Sequence, residues 1–367
     1  MTSRARLALA LLAAACASGP KIDPRLVLQP IAGRTWVSPL HRDHPLVGKI
    51  WAGRAGRFVD EASLDDAMTG ADLVLLGEVH DNPDHHLLQA RFIRTIVAGG
   101  RRPALALEML TSELQPAVDA ARARTPREPE NLAPVWKQGG WPDYDLYRPV
   151  LAAGLEAGLP IVAANLPRDE ARALVMKGIG AADPALRGRL ERGPVLPPDA
   201  VAALRKEMMD SHCGELPAAM MDPMILAQRA RDATMADRLA AAARQSGGGI
   251  LITGNGHATA SDVPSWLAQD APGRKIVAVA LVEVDPAEKA PADYVVEFGK
   301  GPFPYDYAVF TPATRREDPC EKLRARTRAA TERREKDGGA APHAPASPAP
   351  PTPPASPAPP APAAPRG

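Results

Sequence analysis

Glu78, His80, Asp81, Asp84, His85 and His86 crowd into the stretch VLLGEVHDNPDHH, 74–86, directly behind an apolar run. A second stretch, ILITGNGHA at 250–258, repeats the outline: apolar residues, then Gly-x-x-His ending at His257. Neutral imidazoles at His80 and His257, with carboxylates at Glu78 or Glu108, make the N/O donor set that zinc and other borderline metals favour. Three such ligands, Glu78, His80 and His257, with one open position would activate a water. His85 and His86 follow Asn82 in the first turns of an expected helix, where the dipole disfavours the charged imidazole and keeps it available as a ligand. Being adjacent, one can face a site while the other is solvated. The plain reading of any one of these residues is a helix cap or a hydrogen-bond partner, and Asn165 before Leu166-Pro167 fits a turn and cap equally well.

The elements that must position these groups follow from periodicity. Short apolar runs at 72–76, 104–107, 160–164, 249–253 and 275–284 alternate with amphipathic segments, the pattern of a parallel sheet covered by helices. A late run at 293–298 is expected to add an edge strand. Asn82 caps a helix that starts on Pro83 and turns Leu87, Ala90, Ile93 and Val97 inward. Further helices are expected at 112–123, 143–157, 167–177, 199–209 and 223–244. Prolines at 194–198 and the break at 211–223 mark 179–244 as a mainly helical insertion between the third and fourth core strands, a lid over one sheet edge. The fold class is therefore α/β, a central parallel sheet flanked by helices.

Four strands then end alike: on Glu78 and His80, on Glu108 and Met109, on Asn165 and Arg168, and on Gly254-Asn255-Gly256-His257. Ligands of open parallel sheets bind beyond the carboxyl ends of the strands. The chain thus delivers Glu78, His80, Glu108, Asn165, Arg168 and His257 to one polar rim. Gly77, Gly254 and Gly256 allow close backbone approach, and Arg168, in the first turn of a helix, suits a carboxylate or phosphate.

The ends carry no chemistry. Arg4 and Arg6 precede an apolar run of nine residues, far short of the roughly 20 that span a bilayer. Ala13-Ala14-Ala15 then precede Cys16, so 1–16 resembles a lipoprotein signal that leaves Cys16 lipidated and the body anchored to the cell envelope, at an outer membrane facing the periplasm or the cell surface. Ordinary signal cleavage and a free periplasmic protein is the alternative. The α/β domain occupies about 33–320, and 321–367 is charged and then rich in Pro and Ala, the composition of an extended, disordered tail. A net charge of +1 gives no footprint for nucleic acid. Cys213 and Cys320 suit a disulfide in an oxidising compartment but no metal cluster. His41 and His44 fit a surface loop, His212 beside Cys213 is ambiguous, and His343 falls in the tail. No nucleophile elbow, P-loop or H-E-x-x-H is present, and Thr259 stands where a dinucleotide fingerprint needs Gly or Ala.

Taken in order, Gly77-Glu78-Val79-His80, Glu108-Met109, Tyr144 and Tyr147 ahead of Arg148-Pro149, Asn165 to Arg168, Ala227-Gln228 with Asp232, and Gly254 to Ala258 resemble the ChaN-type haem-binding lipoprotein family. The likeness runs over about 51–310. That family is similar in turn to Tiki-type metalloproteases and erythromycin esterases. The resemblance implies haem as the cofactor, ligated by tyrosine, between two subunits that enclose stacked haems, and thus a homodimer. Tyr144 and Tyr147 are the candidate iron ligands, with Tyr294, Tyr305 and Tyr307 behind them; the first two, at helical spacing, fit core packing as well. Trp141 and Met109 suit the porphyrin walls, and Arg148 or Arg168 a propionate. Two readings stand: a membrane-anchored haem receptor in iron acquisition, or a metal-dependent hydrolase, with zinc, built on the paired Gly-x-x-His elements. Whether the chain is an enzyme stays open between them.

Overall fold

A computed structural model describes residues 23–296 except 142, residues 303–318, and positions 320, 321, 324 and 328. The signal at 1–16, the last two residues of the expected 293–298 strand and nearly all of the 321–367 tail lie outside the described residues. The elements below belong to one compact unit that ends at Arg316; the chain from Glu317 onward is a second unit. Cys213 and Cys320 are each disulfide-bonded.

Among the described residues, eight strands build one sheet. They are β1 (Ile50–Ala52), β2 (Arg57–Val59), β3 (Leu73–Glu78), β4 (Ala104–Thr111), β5 (Ile161–Asn165), β6 (Gly249–Gly254), β7 (Ile276–Glu283) and β8 (Tyr307–Thr311). Their order is β2-β1-β8-β7-β3-β6-β4-β5. The six strands from β8 to β5 run parallel, and β1 pairs antiparallel with both β8 and β2 at one edge. Parallel strands buried on both faces need apolar residues throughout, which β3 and β4 supply until each ends on a glutamate or passes one.

Alternate side chains serve opposite faces. Val74, Leu76, Leu105, Leu107, Ile250 and Ile252 join a core completed by α2 (Pro83–Ala98) and α5 (Tyr144–Glu156). Leu73, Leu75, Ala104, Ala106 and Leu251 join the other, under α6 (Arg168–Lys177), α9 (Ala218–Ser246) and α10 (Val263–Asp270). Each fully buried Leu or Ile contributes roughly 1.5–3 kcal/mol by leaving water.

Local signals fix the helix starts. Asn82 caps α2 by accepting the Asp84 N–H, and Pro83 occupies the first turn. The 29-residue α9 carries Pro223 as its sixth residue, inside the helix, where it removes one i→i−4 hydrogen bond.

Two expectations are corrected. The segment Asp293–Val296 is a short 3-10 turn, and the strand expected there is supplied by Tyr307–Thr311 beside β7. The insertion at 179–244 is not wholly a lid: α9 packs on the sheet itself, through Ala230, Ala233, Met235, Ala236 and Leu239. Only α8 (Pro198–Ser211) and the first turns of α9 stand off, around a small cluster of Leu204, Met208 and Met221. Among the described residues no helix is long and apolar enough to cross a membrane.

Candidate functional site

Strand order assembles the rim. β6 lies between β3 and β4, with Glu78 in register with Gly254 and Leu107 with Ile252. The ends of these three strands are neighbours, so Glu78, Glu108 and His257 converge from segments far apart in sequence.

Glu78 is buried and uses both oxygens. Its Oε1 accepts from His80 Nδ1 at 2.8 Å and from the Tyr147 hydroxyl at 2.5 Å. Its Oε2 accepts from Gln89 Nε2 at 2.7 Å and from His86 Nδ1 at 3.2 Å. Burial alone would raise this carboxyl, but the charges and hydrogen bonds of His86 and His80 outweigh it and bring its pKa to about 2. His86 also donates Nε2–H to the His80 carbonyl at 3.0 Å. Burial lowers His86, yet its contacts with Glu78 win and raise it, so Glu78 and His86 form a buried ion pair.

The second corner belongs to Glu108 and His257. Glu108 Oε2 accepts from the Thr253 hydroxyl and the Gly254 N–H, both at 2.7 Å, and its Oε1 lies 3.5 Å from His257 Nε2. His257 Nδ1 donates to Asp232 Oδ1 at 2.6 Å. Burial disfavours the charged ring, but the two carboxylates prevail and hold His257 well above the usual histidine range. Glu108 is correspondingly held low against its own burial. The corners meet at Gly254: a methyl group there would sit 3.0 Å from His80 Nε2 and 3.8 Å from Glu108 Oε2. Glycine is required by this close approach rather than by its backbone angles.

A cavity of about 340 Å³ opens beside the first corner, lined by His80, Asp81, Trp141, Asp143, Tyr147 and Arg168. The His80 side chain is 41% exposed, and Trp141 stands edge-on to it with ring centroids 5.0 Å apart. Arg168 is exposed and forms no ion pair among the described residues. Arg316 pins the loop that carries this wall, binding Asp81 at 2.7 and 2.9 Å and Glu283 at 2.7 and 2.8 Å.

The expected metal set does not form: among the described residues, no three His, Cys, Asp or Glu side chains are arranged to hold a metal ion. The physical reason is visible at Glu78, whose oxygens are all committed to donors, and at His257, whose Nδ1 belongs to Asp232. Neither His85 nor His86 is solvated. His85 accepts the Val79 N–H at Nδ1 and meets the Thr311 hydroxyl at 2.8 Å through Nε2, and burial keeps its ring neutral. His44, assigned to a surface loop, is buried.

Other predicted residues fall away from the cavity. Met109 is buried in the helical core. Arg148 forms an ion pair with Glu130, and the Tyr144 hydroxyl donates to the Pro129 carbonyl. Asn165 is buried and turns its Oδ1 onto the Leu166 N–H at 2.8 Å. Tyr294 accepts the Asp285 N–H and Tyr305 donates to the Asn255 carbonyl, which makes both of them structural; Tyr307 begins β8. Residues without a site role in the sequence reading also join the rim, Gln89 and Asp232, beside His86, one of the two histidines of which one was expected to face the site. For Asp232 the only sequence signal was its place in the family-like series.

Haem can be tested against this geometry. A flat indole, an exposed imidazole whose Nδ1 is already fixed, and an unpaired guanidinium suit a porphyrin face and a propionate. The tyrosines suit iron less well. Tyr147 is buried, and burial followed by the Glu78 charge holds its phenol protonated; Tyr144 is likewise raised by burial.

A mostly parallel α/β sheet whose strand ends gather two Glu–His pairs beside an aromatic cleft defines the class of protein. The chain belongs to the haem-binding uptake ChaN family of the Tiki superfamily, whose model matches residues 64–267. Among solved structures, the chain is similar to ChaN of Campylobacter jejuni, described with cofacial haem binding, at 21% identity and a TM-score of 0.54, covering 71% of this chain and 95% of that one. It also matches an erythromycin esterase mutant in its open conformation, at 15% identity and a TM-score of 0.35, covering 71% of this chain and 81% of that one. Comparison with curated proteins returns no match.

Proposed function

We propose that the chain is a haem-uptake protein of the cell envelope, and that it holds haem in the cleft between His80, Tyr147, Trp141 and Arg168. The observation that carries this reading is the pairing of an exposed, pre-oriented imidazole with an unpaired guanidinium across one aromatic cleft. Bound haem would supply a ferric iron and two anionic propionates. His80 or Tyr147 would hold the iron, Trp141 would pack on the ring, and Arg168 would take a propionate. A cleft of about 340 Å³ lies at the low end of ligand pockets, roughly 300–1,000 Å³, so part of a macrocycle stands out of it. The exposed part suits a second haem and a second copy of the chain, as a homodimer.

Family membership supports haem binding and uptake. Arg4, Arg6, the following apolar run and Cys16 support attachment through a lipid. The hydrolase reading has less behind it, since no metal-ligand cluster accompanies the rim among the described residues.

Haemin titration followed in the Soret region tests the reading. Saturable binding lost or spectrally shifted in His80→Ala or in Tyr147→Phe is expected, and binding indifferent to both sinks it. Incorporation of labelled palmitate, abolished by Cys16→Ser, tests the anchor.

A further inference from the structure

A second cavity, of about 660 Å³, lined by none of the haem-cleft residues, opens between α8, the loop before it and the segment after β6. Its mouth is apolar. Val195, in the proline-bracketed run Pro194 to Pro197, is 94% exposed, and Leu196, Leu204, Phe303 and Pro304 continue the wall.

The floor is different in kind. Glu207 reaches from α8 and lays its carboxyl against Gly256, where any side chain would displace it. Asp262 is 6% exposed and lines the same cavity. Its Oδ2 accepts from the Thr259 hydroxyl, and no described hydrogen bond reaches its Oδ1. Asp199 adds a third acidic group, while Lys206, the one cation of the lining among the described residues, is paired with Asp210 at 2.6 Å. Burial raises the Asp262 carboxyl, a cost that an incoming cation would relieve. An acidic floor under an apolar mouth complements one chemistry: a positive head on an aliphatic body.

We propose that this cavity binds a small organic ammonium, with its cation against Glu207 and Asp262 and its hydrocarbon part against Leu204, Leu196 and Val195. The site is separate from the haem cleft and stands whether or not haem binds there.

Calorimetric titration of the full chain with hexylammonium, hexanol and hexanoate tests it. The expected result is saturable one-to-one binding of hexylammonium, about tenfold or more tighter than hexanol, with no binding of hexanoate. Glu207→Gln, at an exposed helical position that folding tolerates, is expected to weaken hexylammonium about tenfold, and Ala203→Trp to abolish binding by filling the cavity. Equal affinity for the three probes, no saturable binding of hexylammonium, or unchanged affinity in both variants would overturn the assignment. Haemin titration of the same preparations reads the other cleft separately.

Discussion

Tyr147 of α5 donates its hydroxyl to Glu78 at the end of β3 across 2.5 Å, joining residues 69 positions apart. The same Glu78 oxygen orients His80. One buried carboxylate thereby sets the direction of both ring donors of the haem cleft.

Tyr147→Phe should therefore act on more than packing. A hydrogen bond to a charged group is worth roughly 1.5–3 kcal/mol, so urea denaturation should show a loss of about 2 kcal/mol. His80 keeps its bond to Glu78, so a shifted Soret maximum rather than simple loss of haem is expected if Tyr147 supplies the iron ligand. An unchanged spectrum assigns the iron to His80.

The Glu78 carboxyl offers a pH test. Its folded pKa of about 2 lies below the usual 4.5. A depressed acid adds stability that is complete above the unfolded value and is lost as pH falls through the folded one. Between pH 4.5 and about 2 this part amounts to roughly 3 kcal/mol. Stability of the wild type should fall across that window more steeply than that of Glu78→Gln. Parallel curves would mean that the Glu78–His86 pair is not ionised.

Gly254→Ala places a methyl group 3.0 Å from His80 Nε2 and 3.1 Å from its Cε1. The imidazole must move, because the strand backbone cannot. A stability loss of about 1–3 kcal/mol should accompany a haemin affinity lowered by about tenfold, and retention of wild-type affinity would remove His80 from the cleft's working parts.

Arg168→Glu replaces the unpaired guanidinium with a charge that repels a propionate. Haemin should bind at least tenfold more weakly in the variant, with the gap narrowing at high salt as the exposed charges are screened. Because Arg168 forms no ion pair among the described residues, the melting temperature should stay within a degree or two of the wild type.

Asp232→Asn tests the second corner. His257 loses the partner 2.6 Å from its Nδ1, so its imidazole pKa, followed by NMR, should fall toward the ordinary histidine value. A pKa unmoved by the substitution would leave Glu108 as the sole cause of its elevation.

Much of this architecture was legible in the amino-acid order. The central strands, the Asn82-Pro83 helix start and the convergence of Glu78, His80, Glu108 and His257 at strand ends depend on local periodicity, capping and the rule for parallel sheets. Each is a short-range property. The placement of β6 between β3 and β4 is not, and it alone decides that Glu108 meets His257 rather than His80.

Asp232 shows the limit most clearly. A charged residue in a 29-residue helix ordinarily faces water, but α9 lies flat on the sheet and buries it against His257. His85 and His86 looked available as ligands from their helix position, and both rings instead close hydrogen bonds inside the core. Sequence thus determined which donors reach the rim, because strand and helix signals are local. Tertiary structure decided which of them are satisfied by one another and which stay open to a ligand, because hydrogen-bond partners come from segments whose separation in sequence carries no record of their distance in space.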